Sequence, residues 1–332
     1  MFVMSSAIRI EGLVIPLITS ASIKMDVGQL ANTAIVEIPA TAYRKRLSWV
    51  KDIRRGQRIE IWLGYDNRLE LEFDGYINRR TDKDGGMVIE CEDAMFMFRQ
   101  TYMQNQELVN PSLKDILVKV CGAYNKNPER ATNVDYTTSL KYKYSKFVFQ
   151  NASAYDVLKK IQEETKARIY LDTLNFIHVE PQYIDTATDV VRYSFQRNIC
   201  KDGLNLVWKD TKENPLLVEV EGSGKGADGK PVKVVKAAGT PGGDKVKEKI
   251  KGIIDERTLQ SIADDMYNAR NYEGFEGSFD AWLRPYVQIG DFVQLEDEED
   301  SARNGKYYVK SVETSFSKDG GKRKITLGRK VR

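Results

Sequence analysis

Apolar and polar residues alternate along much of this chain, and the period of alternation divides it into parts. Arg58-Ile-Glu-Ile-Trp62 and Leu69-Glu-Leu-Glu-Phe73 repeat every second residue, which gives a strand one dry face and one wet face. The pattern predicts strands at Thr33 to Ile38, Gln57 to Leu63, Leu69 to Asn78 and Met87 to Glu92. The middle changes to a helical period. Leu113, Ile116, Leu117, Val120 and Cys121 share one face, with Asn110-Pro111 read as the cap and first helical position. A second helix is predicted from Ser153, whose hydroxyl can cap the amide of Asp156 while that carboxylate answers at the cap backbone. Ala167 to Leu171 and Asn175 to Val179 read as a hairpin, completing a small α+β unit. Strands resume at Val190 to Phe195, Leu204 to Trp208 and Leu216 to Glu221, and a third helix is predicted near Arg257 to Asn271. Between them, residues 222–251 are rich in glycine and lysine and contain Pro231 and Pro241. This segment reads as a long hairpin arm or mobile loop.

The chain also repeats itself. Gly56-Gln-Arg-Ile-Glu-Ile-Trp62, Phe73-Asp-Gly-Tyr-Ile77, Lys83-Asp-Gly-Gly86 and Met87-Val-Ile-Glu-Cys91 stand near one end. Gly290-Asp-Phe-Val-Gln-Leu295, Tyr307-Tyr-Val-Lys-Ser-Val312, Lys318-Asp-Gly-Gly321 and Arg323-Lys-Ile-Thr-Leu327 stand near the other. Each unit opens on a glycine turn and returns through Lys-Asp-Gly-Gly, a strong hairpin signal because the turn needs positive φ. Two such β units suggest a symmetric scaffold rather than a single catalytic cleft. Their sheet edges need covering, and a ring of subunits would cover them.

Composition narrows the class. At 332 residues, with 41% apolar and 30% charged residues, the chain is long enough for several well-cored domains. No run approaches the roughly 18 apolar residues that span a bilayer, and residues 1–21 lack the pattern of a signal peptide. Cys91, Cys121 and Cys200 are far apart and odd in number, so reduced thiols in an intracellularly made protein are expected. A net charge of +3 is too small to argue for nucleic acid, but the charge is unevenly spread. Residues 44–58 hold Arg44, Lys45, Arg46, Lys51, Arg54, Arg55 and Arg58, while Glu296, Asp297, Glu298, Glu299 and Asp300 run consecutively. Such blocks form solvated faces or match opposite charge on another subunit.

Candidate chemistry is sparse. His178 is the single histidine and falls at a strand surface position, which leaves no histidine-based zinc site. Gly224-Lys-Gly-Ala-Asp-Gly-Lys230 has phosphate-loop spacing. Pro231, however, stands where a hydroxyl is required, and a strand pattern follows instead of a helix. Glu90, Glu92 and Asp93 cluster, but adjacent residues in one strand alternate faces and do not give the set separation of a glycosidase pair. Tyr142, Lys143, Tyr144, Lys146 and Phe147 interleave aromatic with basic residues as a nucleic-acid surface does, but so does any half-buried strand. No cofactor is expected.

The order of several segments resembles the baseplate central hub proteins of contractile phage tails and related injection systems, the late control D protein family. The resemblance runs from Phe73-Asp-Gly-Tyr-Ile77 and Ile89-Glu-Cys-Glu-Asp93 through Leu113-x-x-Ile-Leu117 and Phe149-Gln-Asn-Ala-Ser-Ala-Tyr-Asp-Val-Leu158. It continues over Ala167-Arg-Ile-Tyr170, Phe176-Ile-His-Val179, Leu283-Arg-Pro-Tyr-Val-Gln-Ile-Gly-Asp291, Tyr307-Tyr-Val-Lys-Ser-Val312 and Ile325-Thr-Leu-Gly328. It implies a mainly β fold with an α+β insertion. Residues 1–104 and 189–332 would form two similar small tube-like β-barrel domains, residues 105–188 a helix-hairpin middle domain, and residues 222–251 an arm or loop. It implies a homotrimer whose six barrel units join the hexameric tail tube to the trimeric spike around a channel. Expected partners are tube or tube-initiator protein, central spike, baseplate wedge proteins and tape-measure protein, with DNA only in transit. Arg44, Lys45, Arg46, Arg54, Arg55 and Arg58, and residues 296–300, are the expected intersubunit or channel contacts. No catalytic residue is implied. A tail-borne cell-wall hydrolase and a hub-like subunit of a non-phage secretion machine are the alternatives.

Overall fold

The computed structural model describes residues 3–40, 53–182, 190–209, 215–225 and 230–331. Seven strands come first: β1 (Met4–Ile10), β2 (Leu13–Ile15), β3 (Ser20–Asp26), β4 (Thr33–Pro39), β5 (Arg58–Tyr65), β6 (Arg68–Lys83) and β7 (Gly86–Glu92). The middle holds α1 (Met95–Gln100), β8 (Gln106–Val109), α2 (Leu113–Lys126), β9 (Asp135–Thr138) and β10 (Lys146–Phe149). It then continues through α3 (Ala154–Thr165), β11 (Arg168–Leu171) and β12 (Phe176–Glu180). The remainder begins with β13 (Val190–Ser194), β14 (Ile199–Lys209), β15 (Leu216–Lys225), β16 (Pro231–Gly239), β17 (Asp244–Lys251) and α4 (Glu256–Arg270). It ends with β18 (Gly274–Trp282), β19 (Phe292–Glu296), β20 (Gly305–Ser317) and β21 (Gly320–Val331).

The mainly β expectation holds, and the repeat is written into the strand order. The first unit runs β1-β5-β6-β7-β4-β3 across its sheet, and the second runs β13-β19-β20-β21-β18-β14. Corresponding strands also follow one another in the same chain order. The one difference of direction is that β1 pairs antiparallel with β5 whereas β13 pairs parallel with β19. The units are not two separate barrels. An antiparallel ladder between β3 and β20 fuses them into one 13-stranded sheet, an open path among the described residues.

Two local features align the units residue by residue. The amide of Gly56 donates to Ile77 O at 2.8 Å, and the amide of Gly290 donates to Val309 O at 3.1 Å. Both glycines have positive φ, 89° and 86°, which an L side chain adopts at a steric cost. Immediately after those acceptors each long strand bulges, between Ile77 and Arg79 and between Val309 and Ser311. The Lys-Asp-Gly-Gly tetrapeptides do not occupy equivalent places. The first hairpin turns at Asp84-Gly85 and the second at Lys318-Asp319, one residue earlier in its tetrapeptide.

Cap chemistry sets the helices. Ser153 and Asp156 form the expected capping box on α3. On α2 the cap is Ser112, reciprocated by Asp115, and not Asn110. Asn110 instead takes φ 52° at the end of β8, and Pro111 precedes the cap. A serine followed by an acid three residues on satisfies two orphan amides, which one asparagine side chain cannot do.

Apolar burial falls into two cores. One gathers the inward faces of both β units, including Ile59, Ile61, Phe73, Ile89, Phe279, Val293, Tyr307 and Ile325. The other joins α1–α3 and β11–β12 to Val218 and Val220 of β15, to Leu259 and Ile262 of α4, and to Ala238 and Ile250 from the segment that the sequence assigned to an arm or loop. The described part of residues 222–251 does form a hairpin with β15, but it is packed into a core and is not a mobile loop. β15 lies between antiparallel β16 and parallel β17, and α4 packs on this sheet. Lys233 of β16 and Lys245, Lys247, Lys249 and Lys251 of β17 are exposed at alternate positions.

Candidate assembly surface

The wet face of the continuous sheet interleaves its charges. Glu313 on β20 stands directly opposite Lys24 on β3 and Lys324 on β21, and Asp280 on β18 also faces Lys324. Opposite charges across neighbouring strands stabilise the pairing and leave little net field. The face runs over the β3–β20 junction without a break.

A buried ion pair ties the two units beneath it. Arg323 of β21 is 0% exposed and Glu72 of β6 is 4% exposed. Arg323 donates to Glu72 and to Leu283 O, and lies 3.3 Å from Pro285 O. Thr314 donates to the second Glu72 oxygen at 3.4 Å, and the guanidinium sits 4.8 Å from the Tyr286 ring centre. Burial pushes the Glu72 carboxyl upward, and the charge of Arg323 opposes that shift. No periodicity announces this pair, because both residues sit in otherwise ordinary strands.

The expected contact residues divide. Arg44, Lys45 and Arg46 lie outside the described residues. Arg54 is exposed, and Arg55 packs its guanidinium 4.9 Å from the Phe96 ring. Arg58 holds Asp74 with two bonds of 2.9 Å and also reaches Glu60, so it clasps β5 to β6 within the chain. In the acidic run, Asp297 is buried and organises a turn. It accepts from Gln196 Nε2 at 2.7 Å and from the amides of Glu299 and Asp300, which hold its carboxyl below the usual range. Glu298 pairs with Arg197 at 2.6 Å, Glu296 lies 3.8 Å from Arg192, and Asp300 lies 3.6 Å from Arg303. Glu299 is exposed.

The remaining chemical candidates are structural. Tyr142, Tyr144 and Phe147 point into the second core while Lys143 and Lys146 point out, so the interleaving is that of a half-buried strand. Asp93 is buried and accepts from the amides of Asn32 and Met95 at 2.8 and 3.0 Å, and burial raises its carboxyl to about 7. Gly224 and Pro231 lie in paired strands with residues 226–229 outside the described set. Among the described residues, no three His, Cys, Asp or Glu side chains converge as a metal site, and no helix is long and apolar enough to cross a membrane.

His178 joins the middle unit to the second β unit. Its ring stacks on Tyr170 at 4.8 Å and 5°, with Nε2 at 2.9 Å from Asp172 and Nδ1 at 3.4 Å from Glu180. Glu180 also accepts from Tyr308 of β20 at 3.3 Å. Burial opposes the imidazolium, but hydrogen bonds to Asp172 and Glu180 and their charges outweigh it and raise the group to about 9. A cation favoured by folding contributes fully below its unfolded pKa, about 6.5. That contribution is lost as pH rises through about 9. The single imidazole resonance is expected to titrate near the folded value by NMR; a midpoint near 6.5 would contradict this geometry.

The fold has solved counterparts. A tail protein from Neisseria meningitidis MC58 superposes with a TM-score of 0.67 at 14% identity, covering 98% of this chain and 97% of that one. The 43 kDa tail protein of prophage MuSo2 from Shewanella oneidensis gives 0.64 at 12% identity, covering 98% of each chain. A type VI secretion system component of E. coli, described as similar to the T4 bacteriophage tail proteins gp27 and gp5, gives 0.59 at 11% identity. It is covered over 97% of this chain and 76% of that one. No family model matches the sequence, and no curated protein matches it. The chain thus has the fold of phage tail proteins and of a type VI secretion component, nearly end to end.

Proposed function

We propose that the protein is a structural hub subunit of a tail-like injection machine. Three copies assemble into a ring of six β units that joins a hexameric tube to a trimeric spike around a channel. One observation carries the reading: a single chain contains the same six-strand unit twice, fused by a sheet ladder, in the fold of phage tail proteins. Two similar units per chain let three-fold contacts on one side meet six-fold contacts on the other. The role is mechanical and not catalytic. The interleaved wet face suits a channel wall, since a strongly basic lining would hold DNA through phosphate contacts. Arg54, Arg55 and Glu299 remain the charged candidates for contacts with wedge, tube or tape-measure proteins. The similarity to a type VI secretion component supports a second setting, a non-phage secretion machine, with the same ring and a different cargo.

The test is reconstitution. Mixed with the spike-class and tube-class proteins encoded in the same gene cluster, the protein is expected to elute as one complex containing three copies per spike trimer. Elution of every component at its own volume would contradict the hub reading. Purified peptidoglycan incubated with the protein is expected to stay intact; release of soluble fragments would favour the hydrolase alternative.

A further inference from the structure

The junction inside the chain has an unmade twin. At the made junction, β3 of the first unit pairs antiparallel with the end of β20 beyond its bulge, from Ser311↔Asp26 to Phe316↔Ala21. The strand equivalent to β20 is β6, and the strand equivalent to β3 is β14. Beyond its bulge, β6 has a ladder neighbour on one side only, β7, among the described strands. β14 likewise has only β18. Two sheet edges that the repeat pairs within the chain are thus left open among the described residues. The open edge of β14 also exposes apolar side chains: Val207 is 66% exposed, Trp208 42% and Leu204 41%. An exposed apolar edge strand invites pairing with another strand.

We infer that the β14 edge of one copy pairs antiparallel with the β6 edge of the next, repeating the β3–β20 junction between chains. The inference rests on the hub reading and adds to it the surface and the register. Such a contact is head-to-tail, joining two different edges, so it closes into a ring or runs on as a filament. The glycine contact and bulge shared by both units fix the alignment: Ile77 corresponds to Val309, so Thr81 corresponds to Glu313. Following the β4 and β18 ladders outward, Lys24 corresponds to Val207. Glu313 faces Lys24 at the made junction. Thr81 of one copy should therefore face Val207 of the next.

Directly opposed residues on antiparallel strands hold their Cβ atoms about 4.5–5.5 Å apart, near disulfide range, whereas a two-residue slip moves them to about 7–8 Å. The experiment uses the full chain with Cys200→Ser, which leaves only the buried Cys91 and Cys121 as native thiols. Thr81→Cys and Val207→Cys are introduced singly and together, oxidised mildly, and run on a non-reducing gel beside light scattering of the reduced samples. The double variant is expected to shift mostly to dimer and trimer bands ending at three chains, with the single variants staying at one. A three-chain mass without cross-links would overturn the edge pairing and leave the trimer standing. A one-chain mass without cross-links would overturn both. Cross-linking of Thr81→Cys alone, with Cys200 retained, would overturn the register: it is the result expected if the hairpin turns, and not the bulges, were the equivalent points.

Discussion

Replacing Arg323 with methionine is expected to cost about 3–5 kcal/mol of stability, because it leaves a buried carboxylate without its charge partner. Glu72 is 4% exposed and keeps only the Thr314 hydroxyl at 3.4 Å once the guanidinium is gone. Glu72→Met is expected to lose a similar amount from the other side, since the buried Arg323 would keep only carbonyl acceptors. The double variant should recover most of the loss, because a well-packed apolar pair often replaces a buried ion pair at little cost. The repeat itself suggests this outcome: the position equivalent to Arg323 is Met87, which is fully buried in the first core. Urea unfolding of the three variants measures the coupling directly. Additive losses would mean that the pair is not the tie between the units.

Ile250→Ala is the second large effect, at about 2–5 kcal/mol, the usual range for truncating a fully buried isoleucine. Ile250 is 1% exposed in β17 and belongs to the core shared with α2, α3 and α4. Its neighbours in sequence, Lys249 and Lys251, make it look like part of a soluble tail. Were residues 222–251 a mobile arm, the substitution would fall within about 0.5 kcal/mol, as surface changes do. The same urea midpoint therefore decides between the two descriptions. Loss of the middle unit's far-ultraviolet signal at lower urea would further show that this sheet supports α2 and α3.

Alternation in residues 222–251 predicts a hairpin arm or loop without showing that its strands join a packed sheet. In Val232-Lys233-Val234 a lysine stands between valines, and in residues 245–251 lysines recur at every second position, which marks a strand but not its neighbours. Leu216 to Glu221 was legible as a strand. Its parallel pairing with β17 was not, because a parallel partner is set by a crossover and not by a turn. The helices were easier. Ser153 and Asp156 named their own cap, whereas Asn110-Pro111 imitated one two residues ahead of Ser112.

The repeat was visible in sequence through the wrong token. Lys-Asp-Gly-Gly marks both hairpins, but their turns fall at different places within it, and the second hairpin reaches two residues further past its bulge. What the units share is a glycine amide bonded across to a strand that then bulges, a pattern spread over positions 56 and 77 and over 290 and 309. The candidate contacts were legible only as charge. Exposure separates Arg54 and Glu299 from Arg58 and Asp297, which spend their charge inside the chain. Glu72 and Arg323 escaped notice because a lone charged residue in a strand gives no sign of whether it faces water.

The central claim is that a duplicated unit builds a ring from three chains, and the native mass tests it most directly. Light scattering of the purified protein, alone and with its spike-class partner, is expected to show a species containing three chains of 37.9 kDa. A single-chain mass in both samples, across the concentrations used for assembly, would contradict it.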